Sequence, residues 1–171
     1  MDIIQTDRLV FREFTHADLE PLCLLLNDPT VMKYCSGPMD LAGATKWLNS
    51  AMACYKQYGY DFWAVYVKNT DDFIGQIGIL TQEVAGKQEN CLAFMIGQKY
   101  WNKGYATEGA LACIDYAFGP LKLDRLIATV EPENLASIRI LEKIGMKLDG
   151  EVTYFDEKAR LYSIHKSESH I

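Results

Sequence analysis

The run Tyr100-Trp101-Asn102-Lys103-Gly104-Tyr105-Ala106-Thr107-Glu108-Gly109-Ala110 passes from polar, flexible residues into a helical pattern. Ala106, Ala110, Ile114, Ala117 and Phe118 fall at helical spacing and predict one apolar face. Lys103 and Gly104 stand in the loop that opens onto the first turn. The first backbone N–H groups of a helix lack intrahelical partners and carry partial positive charge. A close-approaching loop with a lysine beside it is therefore a seat for phosphate or pyrophosphate. Gly104 lets a ligand touch the main chain because it has no Cβ. The plainer alternative is a flexible helix entry with no ligand. Two better-known phosphate loops are excluded. Lys103 precedes Gly104, whereas the nucleoside-triphosphate loop needs Gly-Lys followed by Ser or Thr. Gly97, Gly104 and Gly109 do not keep the spacing of the dinucleotide fingerprint.

Upstream of the loop, Leu92 to Ile96 predicts the strand that delivers the chain to it. Phe73 to Leu80 and Phe62 to Val67 predict two more, joined by the turn Asn69-Thr70-Asp71-Asp72. Gly75 and Gly78 inside a strand mark a bulge or a close approach. Earlier still, Asp40 caps a helix with Ala44, Trp47, Leu48, Ala51 and Tyr55 on one face. Asp18 caps another, with Leu19, Leu22, Cys23 and Leu26 inward and Asn27-Asp28-Pro29 as its stop. Val31 to Met39 is irregular and fits one wall of a cleft. Arg8 to Phe14 reads as the first strand.

Downstream, Arg125 to Val130 is an apolar run suited to a strand covered on both faces. Asn134 caps a helix with Ile138, Leu141 and Ile144 inward and Gly145 at its end. Strands near Met146 to Val152 and Arg160 to His165 close the chain. The order βααβββαβαββ implies a mixed α/β (α+β) sheet in one domain, residues 1–171. The Lys103-Gly104 loop falls at the carboxyl end of a strand, where open sheets bind ligands.

The chain's 171 residues, 49% of them hydrophobic, suffice to bury one core. No apolar run approaches a membrane span, and the start is too charged for a signal peptide, so a soluble, cytoplasmic protein is expected. Cys23, Cys35, Cys54, Cys91 and Cys113 are odd in number and too far apart for a zinc motif or a disulfide framework. No metal is expected. A net charge of −6 without a basic stripe argues against direct nucleic-acid binding and favours a cationic substrate.

Four motifs resemble the GCN5-related N-acetyltransferase (GNAT) family, most closely the branch of ribosomal-protein N-terminal acetyltransferases. They are Thr6 to Glu13, Ile74 to Gly78, Trp101 to Glu108, and Asn134 to Ser137 followed by Leu141 to Met146. The resemblance implies the acyl-CoA N-acyltransferase fold and acetyl-CoA as donor. It places the pyrophosphate on Trp101, Asn102, Lys103, Gly104, Tyr105, Ala106 and Thr107, with Asn102 where a glycine is commoner. Phe94, Met95 and Ile96 are the strand that would pair with the pantetheine arm, and a backbone N–H there would polarise the thioester carbonyl. Asn134 and Ser137 join the cofactor site, and Arg139 and Lys143 are candidates for the 3′-phosphate.

Direct attack by an amine needs one group to take a proton and another to return one to the leaving thiolate. Leu141 stands where many relatives carry an acidic tyrosine, and Cys91 where many carry a glutamate. Ser137 is the alternative proton donor implied by the branch; it could equally be a hydroxyl bonded to its own helix. Glu89 is the candidate base, with a solvated strand-end carboxylate as the competing reading. None of His16, His165 and His170 is placed for the role. The acceptor is expected to be a primary amine, on a protein N-terminus or a small molecule. A non-catalytic acetyl-CoA-binding module is the other class. Tyr34, Tyr58, Tyr60 and Trp63 either line the acceptor pocket or fill the core. Monomer and homodimer both remain open.

Overall fold

The computed structural model describes residues 1–169; His170, noted above, lies outside the described residues. Eight strands form one mixed sheet in the order β1-β2-β3-β4-β5-β6-β8-β7. In chain order the elements are β1 (Asp2–Gln5), β2 (Leu9–Arg12), α1 (Leu19–Asn27), α2 (Leu41–Tyr58), β3 (Phe62–Val67), β4 (Asp72–Val84) and β5 (Lys87–Ile96). There follow α3 (Tyr105–Phe118), β6 (Arg125–Val130), α4 (Leu135–Lys143), β7 (Lys147–Tyr154) and β8 (Glu157–His165). The mixed α/β class holds, with one strand more than the sequence predicts. That strand, β1, is four residues at a sheet edge, too short to show alternation, and its pairing with β2 is irregular between Asp2 and Ile4.

Local chemistry accounts for most boundaries. Asp40 accepts a bond from Gly43 N–H at 2.9 Å and caps α2, which ends at Gly59. Asp18 does not cap α1. Its carboxylate takes the Thr15 N–H at 2.7 Å and the Tyr66 hydroxyl, closing a short 3₁₀ turn ahead of the helix. The β4–β5 arm runs to Val84 and Lys87 around Ala85-Gly86, both at positive φ. Such a two-residue turn matches strand twist. Its flanks, Thr81-Gln82-Glu83 and Lys87-Gln88-Glu89-Asn90, are polar and leave no hydrophobic alternation to read.

Two cores cover opposite faces of the sheet. On one face Leu9, Phe11, Trp63, Ile77, Ile79, Leu92 and Leu126 of the sheet cluster with Ile114 of α3 and Ile138 and Leu141 of α4. On the other face Phe14, Phe62 and Met95 cluster with Leu22 and Leu26 of α1 and Leu48 of α2. Trp63 is fully buried edge-on to Tyr116, which makes it core and removes it from any acceptor pocket. A third cluster joins Val84, Cys91 and Ile127 to Leu80, Val152, Tyr154 and Leu161. There the sheet curls enough for the Tyr154 hydroxyl to donate to Gln82 Oε1 at 2.7 Å, from β7 to β4.

The close approach at the strand glycines comes from neighbouring strands. Gly75 has φ 146 beside an irregularity in the β3–β4 pairing, and a Cβ there would strike the Met95 carbonyl.

Candidate active site

β5 and β6 run parallel but pair only at Cys91 and Ile127. Beyond that pair they diverge into a wedge, since β5 continues five residues further without β6. At Gly75 the Met95 carbonyl is directed toward β4. Backbone groups alternate sides along a strand, so those of Phe94 and Ile96 face the wedge. The Trp101 indole N–H takes the Ile96 carbonyl at 2.6 Å. Phe94 therefore offers both its N–H and its C=O to an incoming extended group, while the Ile96 carbonyl is already occupied. Of the three predicted strand residues, Met95 contributes its side chain to the opposite core.

The loop from Trp101 to Gly104 leads straight into α3. Asn102 has φ 58 and Gly104 φ 81, both left-handed. Asparagine is among the few residues that adopt this conformation without glycine's freedom, so the tight turn survives at Asn102. Gly104 is the residue before the helix and no side chain caps it. The free N–H groups of that first turn are open to an external acceptor.

Residues distant in sequence brace this loop. Arg8 donates through Nη1 to the Lys103 carbonyl at 2.9 Å and through Nε to Glu108 Oε2 at 2.6 Å. Glu108 Oε1 accepts the Thr6 hydroxyl at 2.6 Å and the Arg8 N–H at 3.0 Å. The Arg8 guanidinium lies 4.6 Å from the Tyr105 ring centre. Burial pushes the Glu108 carboxyl up, but bonds from Thr6 and Arg8 outweigh it and hold the group below the usual glutamate range. Nothing in the sequence marks this brace, because a charged pair 100 residues apart carries no local signal of contact.

Across the wedge, Asn134 Oδ1 accepts the Ser137 N–H at 3.2 Å and caps α4. Ser137 is half-buried, and among the described residues its hydroxyl bonds no protein group. Leu141 is buried in the core, and Arg139 and Lys143 are exposed. The α1–α2 loop reaches over from the other side, where the Tyr34 hydroxyl donates to the Glu133 carbonyl at 3.3 Å.

Glu89 is neither free nor solvated. It pairs with Arg125 at 2.6 Å and its side chain is 17% exposed. Arg125 also bonds Asp149 at 2.9 Å. Glu89 lies before the Cys91–Ile127 pair, on the closed side of the wedge. Cys91 offers no replacement base. Burial first, and then the Glu89 charge, push its thiol up to about 12. No cluster able to hold a metal ion occurs among the described residues.

A splayed parallel strand pair beside an uncapped loop-to-helix turn is the arrangement that the resemblance to acyl-CoA transferases implies. The acetyltransferase (GNAT) domain family matches residues 8–147. The chain is 35% identical over 158 residues to the uncharacterized protein YkkB of Bacillus subtilis, covering 92% of each chain. The crystal structure of an acetyltransferase (GNAT family) from Bacillus anthracis superposes with a TM-score of 0.83 at 31% identity, covering 96% of this chain and 99% of that one. A spermidine N-acetyltransferase from Vibrio cholerae, in complex with CoA and spermine, shares the fold at 17% identity. Its TM-score is 0.78, over 95% of this chain and 98% of that one. The chain belongs to the GNAT acetyltransferase family and is an acetyl-CoA-dependent acetyltransferase. A ribosomal-protein-serine acetyltransferase from Vibrio cholerae, so described only provisionally, shares the fold at 20% identity and a TM-score of 0.78, over 95% of this chain and 96% of that one, so the narrower likeness to the ribosomal-protein branch is a likeness of fold alone.

Proposed function

We propose that the chain acetylates the primary amine of a small cationic acceptor by direct attack. The observation that carries the donor half is the wedge, with unpaired Phe94 backbone on one wall and the Asn102–Gly104 turn at its mouth. The Asn102 to Thr107 N–H groups, with Lys103, would hold the diphosphate, and Trp101 fixes the loop to the strand end. Acetyl-CoA, when bound, supplies an activated acetyl group as a thioester. Phe94 N–H would donate to the carbonyl oxygen as charge develops there, and Ser137 would return a proton to the departing sulfur.

Two features support a small cationic acceptor. The net charge is −6, and Glu131 and Glu133 lie on the turn after β6 that faces the α1–α2 loop. The Tyr34 contact bridges the two walls on that side.

For Glu89 the ion pair with Arg125 occupies the carboxylate on the closed side of the wedge, which weakens the base reading and favours a strut between β5 and β6. Thiol release from acetyl-CoA tests the whole proposal, with polyamines, amino sugars, amino acids and peptides bearing free N-termini as acceptors. Turnover is expected with polyamines ahead of peptides. Peptide turnover alone would replace the small acceptor with a protein N-terminus, and cofactor binding without any turnover would remove the catalytic reading.

A further inference from the structure

The brace between the chain's start and α3 does more than its position requires. Arg8 could anchor the N-terminal strands through Glu108 alone, yet it also grips the Lys103 carbonyl. The peptide between Lys103 and Gly104 is trans, as are all others among the described residues. In a trans peptide the C=O and the following N–H point in opposite directions. Holding the Lys103 carbonyl toward Arg8 therefore turns the Gly104 N–H away from it. A second feature concerns charge. Glu108 places a carboxylate in the first turn of the helix meant to receive an anion. Unneutralised, it would repel a diphosphate at close range. Arg8 and Thr6 take up both of its oxygens.

We infer that Arg8 is a positioning residue for the diphosphate seat, aiming the Gly104 N–H into it and cancelling the charge of Glu108. The inference rests on the reading that this loop holds the diphosphate of acetyl-CoA. Arg8 is partly exposed, and its Nη2 lies where a Cβ on Gly104 would come within 3.3 Å. The guanidinium thus borders the seat itself. Its planar fork, stacked on Tyr105, spans carbonyl and carboxylate together, which a lysine ammonium on a flexible stem does not reproduce.

The test compares two donors that differ in the diphosphate, acetyl-CoA and S-acetylpantetheine, across wild type, Arg8→Gln, Arg8→Lys and Arg8→Gln/Glu108→Gln. Arg8→Gln is expected to raise KM for acetyl-CoA about tenfold or more and to leave kcat and the S-acetylpantetheine kcat/KM within about twofold, a tenfold change corresponding to roughly 1.4 kcal/mol. The double variant is expected to recover part of the lost affinity, because the uncompensated carboxylate is gone. Arg8→Lys, which keeps the charge and is the milder change if Arg8→Gln folds poorly, is expected to fall between wild type and Arg8→Gln. Equal losses with both donors, or a lowered melting temperature with unchanged acetyl-CoA KM, would reduce Arg8 to a structural staple and overturn the inference. So would wild-type acetyl-CoA affinity in Arg8→Lys. A wild-type protein that binds no CoA would instead bring down the acetyl-CoA reading beneath it.

Discussion

At Gly104 a single methyl group is enough to probe the seat. Its φ of 81 disfavours any other side chain by roughly 1–2 kcal/mol, and a Cβ there would press on Arg8 Nη2. Gly104→Ala is expected to raise KM for acetyl-CoA about tenfold with little change in kcat, read from initial rates. Ser137 makes the complementary case on kcat. Its hydroxyl is free of protein partners, so Ser137→Ala removes a proton donor without removing the Asn134 cap, which uses the Ser137 backbone. General acids contribute about 10²–10⁴-fold, and a thiolate is a good leaving group, so a kcat loss near the lower end, about 10², is expected. An unchanged kcat would exclude Ser137 from proton transfer. Glu89→Gln tests the strut. Its pH–rate profile should overlay that of wild type while the melting temperature falls, because a charge-assisted bond to a half-buried arginine is lost. A displaced basic limb would restore Glu89 as the base.

The first turn of α3 carries a pH signature of its own. The Glu108 carboxyl titrates lower in the folded chain than in the unfolded one, where glutamate lies near about 4.3. Its contribution to stability is therefore complete above that value and is lost as pH falls through the folded pKa. Melting temperatures of wild type and Glu108→Gln should differ most near neutrality and converge only as pH falls through the lowered folded pKa, below the ordinary glutamate range. A gap independent of pH would show that Glu108 acts through packing instead. Element boundaries were legible wherever a side chain acts on its own backbone, as with Asp40 before α2, Asn134 before α4, and the turn after α1 at Asn27. They were not legible where a partner strand supplies the order. The polar halves of β4 and β5 are strand because they pair with each other around Ala85-Gly86, and Asp18 left its helix for Thr15 and Tyr66.

Across the whole molecule, one backbone pair and a handful of side chains join the halves of the sheet. β5 and β6 meet at Cys91 and Ile127, and the curl of β7 brings Tyr154 onto Gln82 over the cluster around Val84. Burial and the neighbouring Cys91 raise the Tyr154 phenol above its ordinary range, which keeps it a donor at any working pH. Tyr154→Phe deletes that bond and leaves Gln82 Oε1 short of a partner, at a cost of about 1 kcal/mol. Faster amide exchange in the Thr81–Val84 and Val152–Tyr154 segments is expected, with exchange in α2 unaffected. Uniform exchange changes would mean that the two halves open as one unit.

The order of strands and helices apart from β1, and the tight turn at Lys103-Gly104 ahead of α3, were determined by the sequence alone. Periodicity, caps and glycine placement act within a few residues of themselves. The wedge behind Phe94, the Arg8 brace on Glu108, and the capture of Glu89 by Arg125 were decided only by tertiary structure. Each depends on segments separated along the chain, and which charge or backbone group remains free is fixed only when those segments meet.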